Sequence, residues 1–158
     1  MWRRPSMGVR PLVAISVIIM LAGCSWTHHV RLWNQSEQAV AIVYKLACPE
    51  GVRCFFTDSA VVKPSGEQDP ANWTVHRLDR SDSTMRFTLP PGHTADLATG
   101  WNTTYKYIQE NPGPGPPHDN LLWMQVTGPS GTRRYSAKEF IAASDTRRSG
   151  VTLLKVTK

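Results

Sequence analysis

The sequence predicts a mostly β fold, a small antiparallel β-sandwich or barrel with one short helix near the C-terminus, preceded by a signal-peptide helix. Three observations predict it. Short segments alternate apolar and polar residues, turn signals separate them roughly every 8–15 residues as in sandwiches and barrels, and the chain holds 12 Pro and 11 Gly. A parallel α/β sheet would need helices between its strands, and only one helical segment is visible.

Two segments show the alternation most clearly. In 39–46 the larger apolar side chains fall on one face, and in 84–89 apolar and polar residues separate cleanly onto two faces. Because the side chains of a strand point alternately to its two faces, both segments are typical of half-buried strands. The residues expected to face the core are Val40, Ile42, Tyr44, Leu46, Met85, Phe87 and Leu89.

The other strands have weaker signals. Segment 121–127 is apolar on both faces and is expected to be a central strand. Residues 34–38 suit a hairpin loop between the first two strands, and 57–59 are expected to break the strand around them. The remaining strands are predicted at 27–32, 55–62, 73–78, 93–98, 133–136 and 151–156.

One helix is predicted near the C-terminus. Ser136 and Glu139 have the spacing of a capping box, in which each side chain bonds the backbone N–H of the other residue at the start of a helix. The apolar run 140–143 follows directly. We therefore expect a short helix here and a closing strand after Gly150.

The first 23 residues have the composition of an export signal. Residues 1–11 are basic, with three arginines and no acidic residue, and 12–22 form an apolar run of 11 residues. A helix of that length spans about 17 Å, against a hydrocarbon core of about 30 Å, so it is too short for a comfortable membrane span. Its length suits a signal-peptide core, and general secretion is favoured over twin-arginine export.

The apolar run ends in Leu21-Ala22-Gly23-Cys24, and here the chain resembles the bacterial lipoprotein class. All four positions match the lipobox of that class, Leu-Ala/Ser-Gly/Ala-Cys. The resemblance implies transfer of a diacylglyceryl group to the Cys24 sulfur, cleavage before Cys24 and acylation of the new amino group. The expected organisation is a signal peptide at 1–23 and a single β-rich, periplasm-facing domain at 24–158. Several acyl chains would make the membrane anchor close to permanent.

The residue after the lipobox indicates which membrane carries the protein. Ser25 occupies the position where an Asp is the usual signal for retention in the inner membrane of Gram-negative bacteria, so the outer membrane is favoured.

The formal net charge is +6, and removing the three arginines of the signal leaves +3. Because Lys and Arg form no stripe interleaved with aromatic residues, nucleic acid is not an expected partner.

Cys48 and Cys54 remain, and an even pair in an exported chain predicts a disulfide. The loop between them is short and contains Pro and Gly, so closure is sterically plausible. The chain-entropy model gives about 2–2.5 kcal/mol for a loop of this length. A metal or redox pair is the rival interpretation, but the spacing is not Cys-x-x-Cys and no second Cys/His pair flanks it at zinc spacing.

Signals of catalysis and of cofactor or metal binding are weak. The sequence lacks a Gly-x-Ser-x-Gly elbow, a Ser-x-x-Lys motif, a P-loop and a dinucleotide fingerprint. His28 and His29 are adjacent, so on a strand they point to opposite faces and form no obvious chelate. We expect a protein that is not an enzyme and that binds no cofactor or metal. The alternative is a dispersed active site in which His76 or His93 meets an Asp.

Trp101, Tyr105 and Tyr107 lead into the Pro-Gly loop 111–117 and are the candidate partner-binding residues. Aromatic side chains are enriched in the hot spots of protein interfaces. The alternative is that they belong to one more strand whose rings pack inward.

These observations predict a lipid-anchored envelope protein, a non-enzymatic accessory or structural subunit that binds another envelope protein. It would lie on the cell outer membrane through the lipid on Cys24 and face the periplasm. The alternative is a periplasmic inhibitor or small-ligand-binding lipoprotein. A deep apolar cavity, or a protruding loop that carries a Ser or Lys, would favour that alternative.

Replacing Cys24 by Ser removes the sulfur that would carry the lipid. We expect Cys24→Ser to leave the domain folded and to move it to the soluble periplasm, or to leave an uncleaved precursor. Separation of cell membranes from soluble periplasm, followed by immunoblotting, measures this. Normal membrane localisation of the variant would contradict the lipoprotein hypothesis.

Overall fold

The computed structural model describes residues 27–48, 52–101, 119–147 and 151–157, and these residues form a β-sandwich. The predicted mostly β fold with a short helix near the C-terminus is confirmed. The predicted signal-peptide helix lies outside the described residues, as does all of 1–26. Within the described ranges, no helix has the length and apolar composition needed to cross a membrane.

Ten strands, one α-helix and a short 3₁₀ helix make up the regular structure of the described ranges. The α-helix, α1, is Ala137–Ala143, and the 3₁₀ helix is Pro70–Asn72. The strands are β1 Thr27–Asn34, β2 Val40–Leu46, β3 Phe56–Pro64, β4 Thr74–Arg77, β5 Thr84–Leu89, β6 His93–Trp101, β7 Leu121–Gly128, β8 Gly131–Tyr135, β9 Asp145–Arg147 and β10 Val151–Val156.

Six strands form the larger sheet, in the order β4-β3-β6-β1-β10-β9. Neighbours are antiparallel except β1 and β10, which run parallel. On its other side β1 pairs with β6, where Thr27 lies opposite Trp101. β1 is therefore an interior strand that brings the first and last described strands together.

The smaller sheet has the order β5-β2-β7-β8 and is antiparallel throughout. The alternation predicted for β2 and β5 is confirmed, because their alternate apolar side chains join the core and are at most 7% exposed. β7 lies between β2 and β8, as predicted for a central strand. The predicted core residues that are buried here are Val40, Ile42, Tyr44, Leu46, Met85, Phe87 and Leu89.

The prediction of a hairpin at 34–38 is wrong. β1 belongs to the larger sheet and β2 to the smaller, so this connection crosses between sheets. Asn34 stabilises the crossing: it is fully buried, and its side-chain amide donates to the backbone carbonyls of Gln38 at 2.8 Å and of Leu89 at 2.9 Å. Alternation shows which face of a strand is buried, but it does not say which strand lies beside it.

The prediction of a break at 57–59 is also wrong, because β3 runs continuously from Phe56 to Pro64. The register between β3 and β6 shifts between Phe56 and Val61, and Thr57 and Asp58 are exposed there. A bulge of this kind allows a strand to continue through polar residues that do not fit the alternation of buried and exposed positions.

Helix α1 covers one side of the sandwich. The Ser136 hydroxyl accepts from the Glu139 N–H, and the Glu139 carboxylate accepts from the Ser136 N–H at 2.8 Å, so the predicted capping box is confirmed. Phe140 is fully buried in the main hydrophobic cluster. The helix packs against β7 and β8 of one sheet and β10 of the other, and so joins the two sheets at this side.

His28 lies on the inner face of β1 and is fully buried. Its Nε2 lies 2.9 Å from the hydroxyl of Thr152 on β10. Burial, with a smaller effect from the neighbouring His29, lowers the pKa of His28 from 6.5 to about 4. The folded state therefore contains a neutral ring at neutral pH, since a buried imidazolium would lose its hydration.

Acid should destabilise the fold through His28. In the unfolded chain this residue binds a proton below about pH 6.5, whereas in the folded chain it does so only below about pH 4. The unfolded state gains its proton first, so the free energy of unfolding falls as the pH drops between these values, by up to about 3 kcal/mol from this residue. Urea unfolding of the detergent-solubilised chain across this range measures the loss.

His28→Gln supplies the comparison, because glutamine can still bond Thr152 and does not titrate. The variant should lose clearly less stability on acidification than the wild-type chain. Part of the slope should remain, since burial also lowers the pKa of His29. An acid slope equal to that of the wild-type chain would contradict the role of His28.

Candidate functional site

The aromatic segment predicted to bind a partner is only partly described. Trp101 is the last residue of β6, and its backbone pairs with Thr27 at the start of β1. Lipidation and partner binding by the aromatic segment therefore stay predictions. The predicted site residues outside the described ranges are Cys24, Tyr105 and Tyr107.

Cys48 and Cys54 form a disulfide, as predicted, with 5.9 Å between their Cα atoms. Cys48 follows β2 of the smaller sheet, and Cys54 precedes β3 of the larger sheet. The bridge therefore closes a short loop in a connection between the two sheets and limits how far their ends can separate.

The disulfide lies at the end of the sandwich where β1 begins. Phe56, the first residue of β3, pairs with Ala98 of β6, and Ala98 also pairs with Val30 near the start of β1. We call this end, defined by Thr27, Phe56 and Asn120, the β1 end. The opposite end contains the turns 90–92 and 128–131.

Asn120 ties the two sheets together at the β1 end. It is 3% exposed, its Oδ1 accepts from the Phe56 N–H at 2.9 Å, and its Nδ2 donates to the Phe56 carbonyl at 3.0 Å. Its own carbonyl accepts from the Ala47 N–H at 2.9 Å. One side chain thus satisfies both polar groups of a buried backbone residue. Sequence reasoning missed Asn120, since an Asn before a strand reads as an ordinary turn residue.

Three of the histidines take part in packing and local bonds. The ring of His76 stacks on Phe87 with 5.2 Å between ring centres, and Nδ1 of His93 lies 2.9 Å from the Pro91 carbonyl oxygen. Nδ1 of His29 lies 3.4 Å from a threonine hydroxyl on β6. Among the described residues, no three His, Cys, Asp or Glu side chains are grouped so that they could hold a metal ion.

The outer face of the larger sheet carries a compact charged cluster. The Asp96 carboxylate of β6 bonds Arg31 of β1 and also Lys63 of β3, the latter at 2.8 Å, and the Lys63 ammonium lies 4.5 Å from the centre of the Trp73 ring. The Asp96 side chain is 17% exposed. Burial acts to raise its pKa, but the bonds from the two cations outweigh burial and lower the pKa. The cluster keeps a net charge of +1, but each cation already has a carboxylate partner, which makes it less available to a binding partner.

The outer face of the smaller sheet is the candidate binding surface. Trp123 of β7 lies opposite Lys45 of β2, and the guanidinium of Arg134 on β8 lies 4.1 Å from the centre of the Trp123 ring. Arg134 is exposed, and Trp123 and Lys45 are half-buried. We call this surface, made by Lys45, Arg86, Trp123, Gln125 and Arg134, the Trp123 face.

The Trp123 face is basic and partly pre-ordered. Arg86 bonds Asp82 and lies 3.8 Å from Asp79, both in the turn before β5, and its bond lowers the pKa of Asp82. The acidic groups thus lie at one edge of the face. Arg134 stacked on Trp123 has already lost part of its side-chain freedom, which reduces the entropy cost of binding. Trp and Arg are enriched in interface hot spots, so the face suits an acidic protein surface.

The sequence pattern led us to predict an aromatic contact at 101–107 and not at Trp123. A signal was present, because Trp123 and Gln125 alternate with the buried Met124 and the next inward residue along β7. Leu121 and Leu122 come just before and made the whole segment look apolar on both faces, which hid this alternation. Leu122 is 50% exposed, so the strand start is not buried on both faces as its composition indicated.

Comparisons with known proteins identify no relative of this chain. No protein-family model matches it, no curated protein matches it, and no solved structure matches it significantly.

Asn120→Ala should weaken the junction between the sheets. The substitution leaves the Phe56 N–H and carbonyl without their bonds in a buried position, and we expect the free energy of unfolding to fall by about 2–3 kcal/mol. Denaturant unfolding of the detergent-solubilised chain measures this.

Asn72→Ala is the matched control, because Asn72 is exposed on the 3₁₀ helix and its side chain donates to the Glu67 carboxylate at 3.0 Å on the surface. Its effect should stay within about 0.5 kcal/mol. Equal unfolding free energies for the two variants would show that the Asn120 junction does not stabilise the fold.

Proposed function

We propose that the chain is a lipid-anchored cell-envelope protein, a non-enzymatic accessory or structural subunit that binds another envelope protein. The observation that carries the proposal is how close in the chain the sandwich comes to Cys24. Strand β1 includes Thr27, three residues after Cys24. Thr27 pairs with Trp101 of β6, and from His29 onward β1 also pairs with β10, so this part of the chain is held within the larger sheet.

The short separation of Cys24 and Thr27 would hold the domain directly against the membrane. Three residues of extended chain span at most about 11 Å. A lipid on Cys24 would therefore bring the β1 end to the membrane surface. A domain attached in this way suits a fixed subunit of a membrane-bound assembly better than a carrier that must travel between membranes.

The disulfide supports an exported protein. Disulfides persist in oxidising compartments such as the bacterial periplasm and are rare in the cytosol. The Cys48–Cys54 bridge therefore agrees with the export signal at 1–23. With Ser25 after Cys24, the location that we propose is the outer membrane of a Gram-negative cell, facing the periplasm.

The Trp123 face is the surface that we assign to the partner. It combines a stacked Arg134–Trp123 pair with Lys45, beside an Arg86 that is already paired with Asp82, and no strand or helix of the described ranges packs over it. The expected partner is an envelope protein with an acidic surface. The aromatic segment 101–107 stays a second candidate contact with the same partner.

A periplasmic inhibitor or small-ligand-binding protein is the second candidate function. The observation that favours it is a groove of about 210 Å³ at the opposite end of the sandwich, whose lining includes Arg133, Tyr135 and Lys155. Pockets for drug-sized ligands usually measure about 300–1,000 Å³, so this groove is small for such a role. Two hollows beside the disulfide are larger, about 340 and 560 Å³, but they are more open to solvent than the groove. The accessory-subunit proposal is therefore preferred.

Arg134→Glu tests the Trp123 face. In a native pull-down of the lipidated full-length chain from gently solubilised envelopes, followed by mass spectrometry, the wild-type chain should recover one envelope protein repeatedly. Arg134→Glu reverses the charge stacked on Trp123 and should lower that recovery by at least about tenfold, as expected for a hot-spot residue.

Arg80→Glu is the matched control. The Arg80 side chain is 85% exposed and lies off the Trp123 face, paired with Asp58 at 3.3 Å. This variant should recover the partner as the wild-type chain does. Undiminished recovery by Arg134→Glu would contradict binding through the Trp123 face. Recovery of the chain alone, or with a soluble hydrolase or a small molecule, would favour the second candidate function.

A further inference from the structure

Three large hydrophobic side chains of the described ranges are strongly exposed: Val52 at 44%, Leu122 at 50% and Val75 at 54%. Val75 lies on β4, an edge strand of the larger sheet. Val52 and Leu122 both lie at the β1 end. The exposure of Val52 and Leu122 at the same end of the sandwich indicates a surface that is covered in the working protein.

The disulfide brings Val52 and Leu122 into one patch. The carbonyl oxygen of Val52 lies 3.4 Å from Sγ of Cys48, and Leu122 lines a shallow hollow together with Cys48 and Lys45. Leu122 points outward because the register of β2 against β7 shifts there: Lys45 pairs with Trp123, and the next residue of β2 pairs with the residue before Leu122. A bulge of this kind redirects a side chain.

The patch combines exposed apolar side chains with cations on a supported backbone. The Cys48–Cys54 bridge and the bonds of Asn120 hold its supporting backbone in place. Two acidic groups near the patch, among the described residues, are engaged: Asp58 pairs with an arginine at 3.3 Å, and Asp82 is bonded by Arg86. Two cations flank the apolar side chains: Arg53 next to Val52 in the chain, and Lys45 in the hollow with Leu122.

We propose that this patch, Val52 and Leu122 with their flanking cations, rests on the bilayer that carries the lipid anchor. The inference rests on the proposed function, because the segment that would carry the lipid joins the sandwich at the same end as the patch. The chain enters the fold at Thr27 of the same end, at most about 11 Å from Cys24. The two apolar side chains then enter the boundary between headgroups and acyl chains, and Lys45 and Arg53 lie at the level of the lipid phosphates.

This contact sets the orientation of the whole sandwich. The eight residues of β7 run from the β1 end to the opposite end, and at about 3.4 Å per residue they span about 27 Å. The strands therefore stand upright on the membrane, and the turns 90–92 and 128–131 lie farthest from it. Trp123, close to the start of β7, faces a partner that must itself reach near the membrane surface.

Photo-crosslinking tests the contact in native membranes. Benzoylphenylalanine is placed in the full-length chain in place of Val52, Leu122 or Val75, in separate samples, and isolated envelopes are irradiated. Val75 is the matched control, because its exposure is similar and it lies away from the patch. Mass spectrometry should find phospholipid adducts at positions 52 and 122 severalfold more often than at position 75.

The outcomes separate this inference from the function on which it rests. If the chain fractionates with membranes but positions 52 and 122 give no more lipid adducts than position 75, the anchor stands and the docking inference fails. Protein adducts in place of lipid adducts at positions 52 and 122 also overturn it. If the chain is found in the soluble fraction, the anchor fails and the inference fails with it.

Discussion

Strand β1 pairs with β6 on one side and with β10 on the other, and this position constrains the rest of the structure. Its inner face buries Val30 and Leu32 in the core and makes two polar contacts, His28 with Thr152 of β10 and Asn34 with the Leu89 carbonyl of β5. An interior strand cannot move without breaking both ladders. The position of β1 in the sheet is therefore fixed, and Thr27 lies three residues after Cys24 in the chain.

The two outer faces of the sandwich differ in how they use their charges. On the larger sheet, the Asp96 carboxylate pairs with both Arg31 and Lys63, and the three side chains are 16–27% exposed. On the smaller sheet, Arg134 remains exposed and is ordered only by the Trp123 ring. Cations that already have a carboxylate partner offer less to an acidic group than the exposed, stacked Arg134 does. The partner face borders the β1 end that we assign to the membrane, and Lys45 belongs to both.

The sequence predicted the local features well. Alternation identified the buried faces of β2 and β5, the spacing of Ser136 and Glu139 identified the start of α1, and the cysteine pair identified the disulfide. Each of these depends on residues close together in the chain. The crossing at 34–38 and the parallel pair of β1 with β10 were not predicted, because alternation carries no information about which strands are neighbours.

The candidate sites were predicted less well for the same physical reason. Asn120 matters because Phe56, far from it in the chain, needs partners for its backbone groups. Trp123 matters because Arg134 stacks on it from the neighbouring strand, and Leu122 is exposed because of a register shift. Pairings of this kind between strands appear only after the sheets have formed.

The central claim is that a lipid on Cys24 holds the β1 end at the membrane, and the N-terminal peptide of the mature protein tests it most directly. The chain is purified from membranes of a Gram-negative host, digested with protease and analysed by mass spectrometry. We expect a peptide that begins at Cys24 and carries a thioether-linked diacylglyceryl group and an acylated amino group. A peptide that begins at Met1, or one in which Cys24 is unmodified, would contradict it.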